Sequence, residues 1–242
     1  MSDKPHQSAS SVEKNSSFFR DNLSEYNSNV QQLDTYAAIR ASLNEALRGC
    51  GKLMDIGNGG VFDYDTSLAR EIVALDLFLD DLPAQYSRPA NVTFRTGSAL
   101  SIPEADGEFD AVLMVMLLHH LVGRSVAESW TNTQTALKEA MRVLRPGGKL
   151  ILVESCVPRW FYTFERAVFP IANSVIHWFS EHPATLQYPA EQLASALSAM
   201  TPAEPEMCRI EKGRWVLQFG VKFPAALTPV YPYRFVLQKP SE

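Results

Sequence analysis

Hydrophobic positions along the chain follow two repeats, one typical of helices and one typical of buried strands. Between residues 18 and 48 apolar side chains recur every three or four positions, which predicts helices; they are Phe18, Phe19, Leu23, Tyr26, Leu33, Tyr36, Ile39, Leu43 and Leu47. Short apolar runs predict five strands, at Lys52–Ile56, Ile72–Leu77, Val92–Thr96, Ala111–Val115 and Lys149–Glu154. The helical repeat returns from about Val126 to Leu144, and Arg145-Pro146-Gly147-Gly148 ends it because proline cannot continue a helix.

Strands that alternate with helices favour parallel pairing through right-handed crossovers, so the pattern predicts an α/β fold with a doubly wound sheet. A further helix over 190–200 precedes two last strands, Met207–Ile210 and Arg234–Gln238, which we expect to form an antiparallel edge pair. The sheet would then have seven strands and be mostly parallel. Ligands of such sheets bind at the carboxyl ends of the strands, where the winding reverses.

Residues 156–187 interrupt the alternation directly after the fifth strand. The segment is rich in aromatic residues, and Pro158, Pro170 and Pro183 divide it into short pieces. Because it emerges at the ligand edge of the sheet, it is a candidate cap over a pocket. The alternative is that its rings only pack the segment onto the sheet.

The composition of the chain argues against several classes of function. The 242 residues carry a net charge of −5 and no basic run, which argues against an electrostatic grip on nucleic acid. The longest apolar run, Ala111–Leu118, is too short to span a bilayer. Three widely spaced cysteines, Cys50, Cys156 and Cys208, suggest neither a disulfide framework nor a zinc cluster, so a reducing cytosol is expected.

A glycine turn, Asp55-Ile56-Gly57-Asn58-Gly59-Gly60, follows the first strand, and glycines there let the backbone approach a ligand closely. Asp76, which ends the second strand 21 residues after Asp55, is placed to accept both ribose hydroxyls of a nucleoside. Phe62 stands where a dinucleotide-binding turn needs its third glycine, which argues against a dehydrogenase. The acidic residues around the turn favour a ligand with an ammonium and a sulfonium over a pyrophosphate.

Five motifs of the chain appear in the order and spacing of the class I S-adenosylmethionine-dependent methyltransferases: Asp55–Gly60, Asp76, Phe109-Asp110-Ala111-Val112, Leu118-His119-His120-Leu121 and Arg142-Val143-Leu144-Arg145-Pro146-Gly147-Gly148. The chain resembles this family over roughly residues 49–155, and most of all its small-molecule branch of quinone and natural-product enzymes. The resemblance implies a Rossmann-like methyltransferase fold, S-adenosyl-L-methionine as cofactor, and O-, N- or C-methylation of a small aromatic or heteroaromatic metabolite in the cytoplasm. An alternative is a protein of this fold that binds the cofactor without methyl transfer, as a pericyclic-type catalyst or a binding partner.

The domain organisation that follows is a disordered tail over residues 1–17 and a single domain over 18–242. Within that domain we expect N-terminal helices (18–48), a cofactor-binding core (49–155), a cap insertion (156–187), and a C-terminal helix with edge strands (188–242). The expected partner is a small-molecule acceptor, with neither nucleic acid nor a membrane involved. The sequence contains no indication of oligomeric state.

The resemblance also implies a cofactor site. The amino-acid end would lie on Asp55, Gly57, Asn58 and Gly59 and the ribose on Asp76. The adenine would lie on Leu77, Ser98 and Ala99, and the methionine portion near Met114 and His119. Tyr26 or Tyr36 would close the site. Two departures from the family stand out. In the first, Val61 replaces the usual third glycine and the connection from Asp55 to Asp76 is slightly short, so the first helix is expected to be abbreviated. In the second, Ser98 replaces an acid, so the adenine amino group would be held more weakly.

Methyl transfer from a sulfonium needs in-line placement of the acceptor and, for some acceptors, a base. His119 and His120 are candidates to deprotonate a phenol or enol, the alternative being that one caps the next helix and the other packs inward. His177 is a further candidate in the insertion, and Tyr162 with Trp160 suits the wall of an acceptor slot better than a chemical role. Glu154 would face the acceptor side. No spacing of histidines and acids indicates a metal site.

Overall fold

The computed structural model describes residues 33–77, 79, 88–179, 185–218 and 221–241, with only the backbone described over 170–179, 217–218 and 221–222. The expected tail over 1–17, most of the first predicted helices and Tyr26 lie outside these ranges. Helix α1, Asp34–Ala46, is the described part of those helices. It turns Ile39 and Leu43 inward, in agreement with the apolar repeat.

Seven strands form one sheet in the order β3-β2-β1-β4-β5-β9-β6, and β7 and β8 form a separate hairpin. The strands of the large sheet are β1 (Cys50–Ile56), β2 (Ala69–Asp76), β3 (Val92–Thr96), β4 (Phe109–Val115), β5 (Leu144–Cys156), β6 (Glu206–Arg209) and β9 (Tyr231–Gln238). The hairpin is β7 (Trp215–Gln218) with β8 (Val221–Pro224). Neighbouring strands from β3 through β5 pair in parallel, whereas β9 is antiparallel to both β5 and β6. The predicted mostly parallel, seven-stranded sheet is confirmed.

Helices cover both faces of the sheet, which makes it doubly wound. Alternate residues of β1 point to opposite faces: Leu53 packs with α1 on one side, and Met54 packs on the other. On that second face lie α2 (Val126–Val143) and α4 (Ala190–Ser198). Ser125 begins α2 by accepting the Glu128 backbone N–H in its side chain, a typical N-cap.

Among the fully described connections between the parallel strands, two contain no α-helix. Only a three-residue 3-10 turn, Thr66–Leu68, lies between β1 and β2, so the expected abbreviation of the first helix is confirmed. Residues 97–108 join β3 to β4 as a loop, where the alternating pattern predicted a helix. The absence of a regular apolar repeat over 97–108 is the physical reason for that difference.

Strand β5 begins at Leu144, five residues earlier than predicted. The Arg145-Pro146-Gly147-Gly148 segment ends α2, as expected, but it continues directly as the irregular start of the strand. Leu144 already pairs with Phe109, and a register shift follows before Ala111 pairs with Lys149. Gly147 has φ +73°, the left-handed conformation that such an irregularity needs.

Helix α3, Arg159–Phe179, occupies most of the insertion after β5. It is a single helix of 21 residues that passes through Pro170, so the prediction that prolines divide this part of the segment into short pieces was wrong. Proline removes one helical hydrogen bond, and the backbone nevertheless stays helical on both sides of Pro170. None of the described helices is long and apolar enough to cross a membrane.

Candidate active site

The glycine turn after β1 holds three residues in the left-handed region, with φ of +74° at Gly57, +58° at Gly59 and +78° at Gly60. The Gly57 N–H donates to the Leu75 carbonyl at 2.8 Å, which ties the turn to the end of β2. A Cβ atom at position 57 would lie 2.7 Å from Leu117 Cδ1. The backbone therefore passes between the ends of β1, β2 and β4 in a space and a conformation that only glycine tolerates.

Asp76 ends β2 and faces this turn. Its Oδ2 accepts the Gly59 N–H at 2.9 Å, and its Oδ1 accepts the Leu77 N–H at 2.6 Å. A carboxylate oxygen has more than one acceptor position, so ribose hydroxyls can still donate to it. Leu77, next in the chain, is 40% exposed and offers an apolar surface beside the carboxylate. The turn and the acid that sequence reasoning paired are thus in direct contact.

Asp55 lies behind the turn. It is buried, and its Oδ2 accepts hydrogen bonds from the Tyr64 hydroxyl at 2.9 Å and from Asn58 Nδ2 at 2.5 Å. Burial raises the pKa of the Asp55 carboxyl to about 7, although those two donors oppose the shift. Asn58 Nδ2 also donates to the Val61 carbonyl, and its Oδ1 is buried with no hydrogen-bond partner. Asp55 therefore shapes the turn through Asn58, which presents an unsatisfied acceptor there.

The loop after β3 reaches the same edge. The Gly97 N–H donates to the Asp76 carbonyl at 2.9 Å, which places half-buried Ser98 and Ala99 just beyond β2. Ser98 Oγ accepts the Leu100 N–H at 3.1 Å. Met114 is fully buried in the core shared with α2, so its side chain lies inside the protein, below the ligand edge. The contacts of these residues with a cofactor remain predictions, as does that of Tyr26.

A buried acid–histidine pair occupies the ends of β4 and β5. His119 Nδ1 lies 2.5 Å from Glu154 Oε1, and both side chains are almost completely buried. Two backbone donors complete the carboxylate: Leu118 N–H to Oε2 and Ser155 N–H to Oε1, each at 2.7 Å. The His120 ring packs against His119 with centroids 4.1 Å apart. A histidine oriented by a buried carboxylate can accept a proton on its other nitrogen.

Sequence reasoning missed Met116 and Tyr64. Met116 follows β4 with φ +51°, a conformation that non-glycine residues rarely adopt and that often accompanies functional sites. Its N–H donates to the Val153 carbonyl at 2.8 Å, which holds the strained residue between β4 and β5. No signal in the apolar run around Met116 distinguishes it. Tyr64 could have been suspected only from its position after the glycine turn.

The candidates in the insertion separate by exposure. Tyr162 is buried, with its ring 5.9 Å from that of Tyr188, and it belongs to the core. Trp160 is 67% exposed at the start of α3. His177 lies near the end of α3, but its side chain is outside the described residues. The structure therefore brings His119, His120 and Glu154 together, and it does not bring Tyr162 to an open surface.

A buried carboxyl on α3 was not foreseen from the sequence. Burial raises the pKa of Glu165 to about 8, and its Oε2 has no hydrogen-bond partner. The Gln187 backbone donates to this carboxyl, and Gln187 Nε2 approaches Ser155 Oγ at 3.4 Å. Among the described residues, no group of three or more histidines, cysteines and acids could hold a metal ion.

Comparison with known proteins gives the same assignment as the motifs. Residues 54–152 match a family model described as a methyltransferase domain. A demethylmenaquinone methyltransferase of Renibacterium salmoninarum is 35% identical over 151 residues, which are 59% of this chain and 58% of that protein. The chain thus spans less than two thirds of the length of the curated relatives it matches.

Solved structures share the fold. The 1,6-didemethyltoxoflavin-N1-methyltransferase of Burkholderia thailandensis, solved with 1,6-didemethyltoxoflavin and S-adenosylhomocysteine, has a TM-score of 0.59 at 15% identity and covers 99% of this chain and 93% of its own. The 4+2 cyclase SpnF has a TM-score of 0.55 at 16% identity and covers 86% of this chain and 81% of its own. At these identities the likeness concerns the fold.

Proposed function

We propose that this chain transfers the methyl group of S-adenosyl-L-methionine to a small aromatic or heteroaromatic acceptor, because it belongs to the class I S-adenosylmethionine-dependent methyltransferases. The observation that carries the proposal is the contact between Asp76 and the glycine turn, at 2.9 Å from Gly59 N. This contact joins the two elements by which such proteins hold a nucleoside and its amino-acid tail.

The residues present fit this cofactor. A carboxylate in the position of Asp76 is a suitable acceptor for the ribose hydroxyls, and Leu77 offers an apolar face for the adenine. The unpartnered Asn58 Oδ1 is an acceptor for the ammonium of the methionine portion. Ser98 and Ala99 would border the adenine edge. The bound cofactor supplies an electrophilic methyl group on a positively charged sulfur.

The acceptor would lie between the ends of β4 and β5 and the helix that follows. In the proposed organisation, residues 49–155 form the cofactor-binding core and 156–187 form a cap. The exposed Trp160 gives a flat face for a ring-bearing acceptor, in support of an aromatic substrate. Similarity to a demethylmenaquinone methyltransferase and to a toxoflavin-precursor methyltransferase also supports a flat acceptor.

Catalysis would rest mainly on placement, because a sulfonium is already a good leaving group. The left-handed turn and Leu117 hold the cofactor and acceptor sides of the site in fixed relation, since Leu117 packs against the Gly57 backbone. His119, with the tilted ring of His120 packed against it, is the proposed base. His177 and Tyr162 are weaker proposals: the first is not described in side-chain detail, and the second is buried in the core.

The test is transfer of a labelled methyl group. The purified protein is incubated with methyl-labelled S-adenosyl-L-methionine and, in separate reactions, with reduced demethylmenaquinone and 1,6-didemethyltoxoflavin as probe acceptors. Label in an organic product, lost in Asp76→Ala, is the expected result. Tight cofactor binding without transfer to any acceptor of a broader aromatic panel would instead favour a non-methylating protein of this fold.

A further inference from the structure

Glu154 is the most completely enclosed acid of the candidate site. Its side chain has no solvent exposure, and it lies opposite Tyr233 of β9, two residues before β5 ends at Cys156. The Leu118 and Ser155 backbone N–H groups donate to its two oxygens, and His119 Nδ1 lies 2.5 Å from Oε1. Burying a carboxylate is costly unless such donors satisfy it, so this arrangement fixes the position of Glu154 and of whatever it holds.

The pair determines which nitrogen of His119 is available. Glu154 Oε1 can only accept from Nδ1 when Nδ1 carries a proton. In the neutral imidazole the lone pair is then on Nε2. The Leu186 N–H donates to the His119 carbonyl at 3.0 Å, so the backbone of this residue is tied to the segment after α3 as well. The imidazole is thus oriented through Nδ1 and the backbone of His119 through its carbonyl, and Nε2 is the ring nitrogen that can take a proton.

We propose that Glu154 is a positioning residue that keeps His119 as a base with its lone pair on Nε2, and that the acceptor is therefore one whose attacking group must lose a proton, a phenolic or enolic hydroxyl. This inference rests on the proposed methyl transfer. An amine or thioether acceptor attacks with a lone pair it already has, and it would gain little from a base held in this way.

The step balances without a further reactant. The acceptor O–H proton moves to His119 Nε2, and the electrons it leaves form a bond from that oxygen, or from the ring carbon conjugated with it, to the methyl carbon. The carbon–sulfur bond breaks and its electron pair stays on sulfur, which becomes a neutral thioether. The positive charge that started on sulfur ends on the imidazolium, where the Glu154 carboxylate, 2.5 Å from Nδ1, stabilises it.

Glutamine cannot replace the carboxylate without loss. Both Glu154 oxygens accept backbone N–H groups, one from Leu118 and one from Ser155. In glutamine, the amide NH2 group would replace one of these oxygens and would face a backbone N–H, so two hydrogen-bond donors would oppose each other. Glu154→Gln therefore removes the negative charge and disturbs the orientation of His119, while side-chain volume changes little.

The first experiment needs no acceptor. Histidine 15N chemical shifts of the labelled protein report which ring nitrogen carries the proton, with His119→Asn used to assign the signal. Wild type is expected to show His119 protonated on Nδ1, and Glu154→Gln is expected to lose that single tautomer. The matched control, Glu191→Gln, changes an exposed glutamate at the start of α4 and should leave the signal unchanged. A wild-type His119 protonated on Nε2 would overturn the proposal, whatever the variant does.

The second experiment measures the consequence for transfer with reduced demethylmenaquinone, which carries phenolic hydroxyls. His119→Asn should lower kcat about 100-fold or more, the usual effect of removing a base. Glu154→Gln should lower it at least about tenfold. The Kd for S-adenosyl-L-methionine should stay within about twofold in Glu154→Gln, whereas His119→Asn, at the predicted methionine portion of the cofactor site, is judged by kcat. Unchanged kcat in His119→Asn contradicts the inference and leaves the methyltransferase proposal intact. If the wild type does not bind S-adenosyl-L-methionine, the proposed function is contradicted. The tautomer experiment then still decides whether Glu154 positions His119.

Discussion

Replacing Asp76 by alanine is the most informative single change at the cofactor side. In the protein its carboxylate accepts the Gly59 N–H at 2.9 Å and the Leu77 N–H at 2.6 Å, and we propose that it also accepts the ribose hydroxyls. The substitution therefore removes the ligand contacts and the side-chain bond between β2 and the glycine turn, while the backbone bond from Gly57 to Leu75 remains. Both consequences act on the same half of the site.

The expected loss follows from the kind of bond removed. Hydrogen bonds to a charged group contribute about 1.5–3 kcal/mol, and one such bond lies between the carboxylate and each ribose hydroxyl in the proposed complex. Part of this is recovered because water replaces the carboxylate, so we expect a net loss of about 2–3 kcal/mol. Since each 1.4 kcal/mol changes an affinity tenfold, the Kd for the cofactor should rise about 30- to 150-fold.

Titration calorimetry with S-adenosylhomocysteine measures this directly. Asp65→Ala is the matched control, because the exposed Asp65 side chain accepts from the Ser67 N–H and hydroxyl as the N-cap of the 3-10 turn, and its backbone bond to Asn44 survives the substitution. It should change the affinity by about twofold at most. Thermal melts without ligand show whether loss of the bond between Asp76 and the turn destabilises the fold itself. Equal losses of affinity in Asp65→Ala and Asp76→Ala would show that the acid ending β2 is not at the ribose.

The remaining predictions concern the proposed cap and the buried carboxyl of Asp55. Tyr162→Ala, at a core position, should lower the free energy of unfolding by about 3 kcal/mol. Trp160 is 67% exposed, so Trp160→Ala should change the free energy of unfolding by less than about 0.5 kcal/mol and raise the acceptor KM. Melting curves and acceptor kinetics on both variants check this, and the reverse pattern would assign Trp160 to packing. Burial raises the pKa of Asp55 from 3.8 to about 7, so the folded protein keeps a proton that the unfolded chain loses, and stability falls as pH rises through this window. In urea titrations the free energy of unfolding of Asp55→Asn should rise relative to that of the wild type as the pH goes from 4 to 7, and the difference should stay level above pH 7. A difference in unfolding free energy that does not change with pH would contradict the assigned pKa shift.

The ligand edge of the sheet was predictable because a topological rule connects distant positions. Parallel strands end at one edge, so Asp76 and the Gly57–Gly60 turn had to meet once β1 and β2 were recognised as neighbours. β3, Val92–Thr96, has the predicted bounds, since loops flank it on both sides. The early start of β5 was not predictable from composition, because a proline and two glycines are typical of turns even where the backbone stays paired.

Other features depend on contacts that no local pattern encodes. Glu154 and His119 are 35 residues apart, and only the folded sheet brings them within 2.5 Å. The β7–β8 hairpin lacks a clear alternation of apolar and polar residues, so the sequence did not indicate it. Helix α3 continues through Pro170 although proline removes one helical hydrogen bond, which the local sequence preference did not predict.

The most direct test of the account compares two nucleotide ligands by calorimetry on the purified wild-type protein. The contact of Asp76 with the glycine turn, together with Phe62 where a dinucleotide-binding turn needs glycine, predicts binding of S-adenosyl-L-methionine and S-adenosylhomocysteine and none of NAD. Tight binding of NAD, with no heat from either sulfur compound, would contradict the central claim.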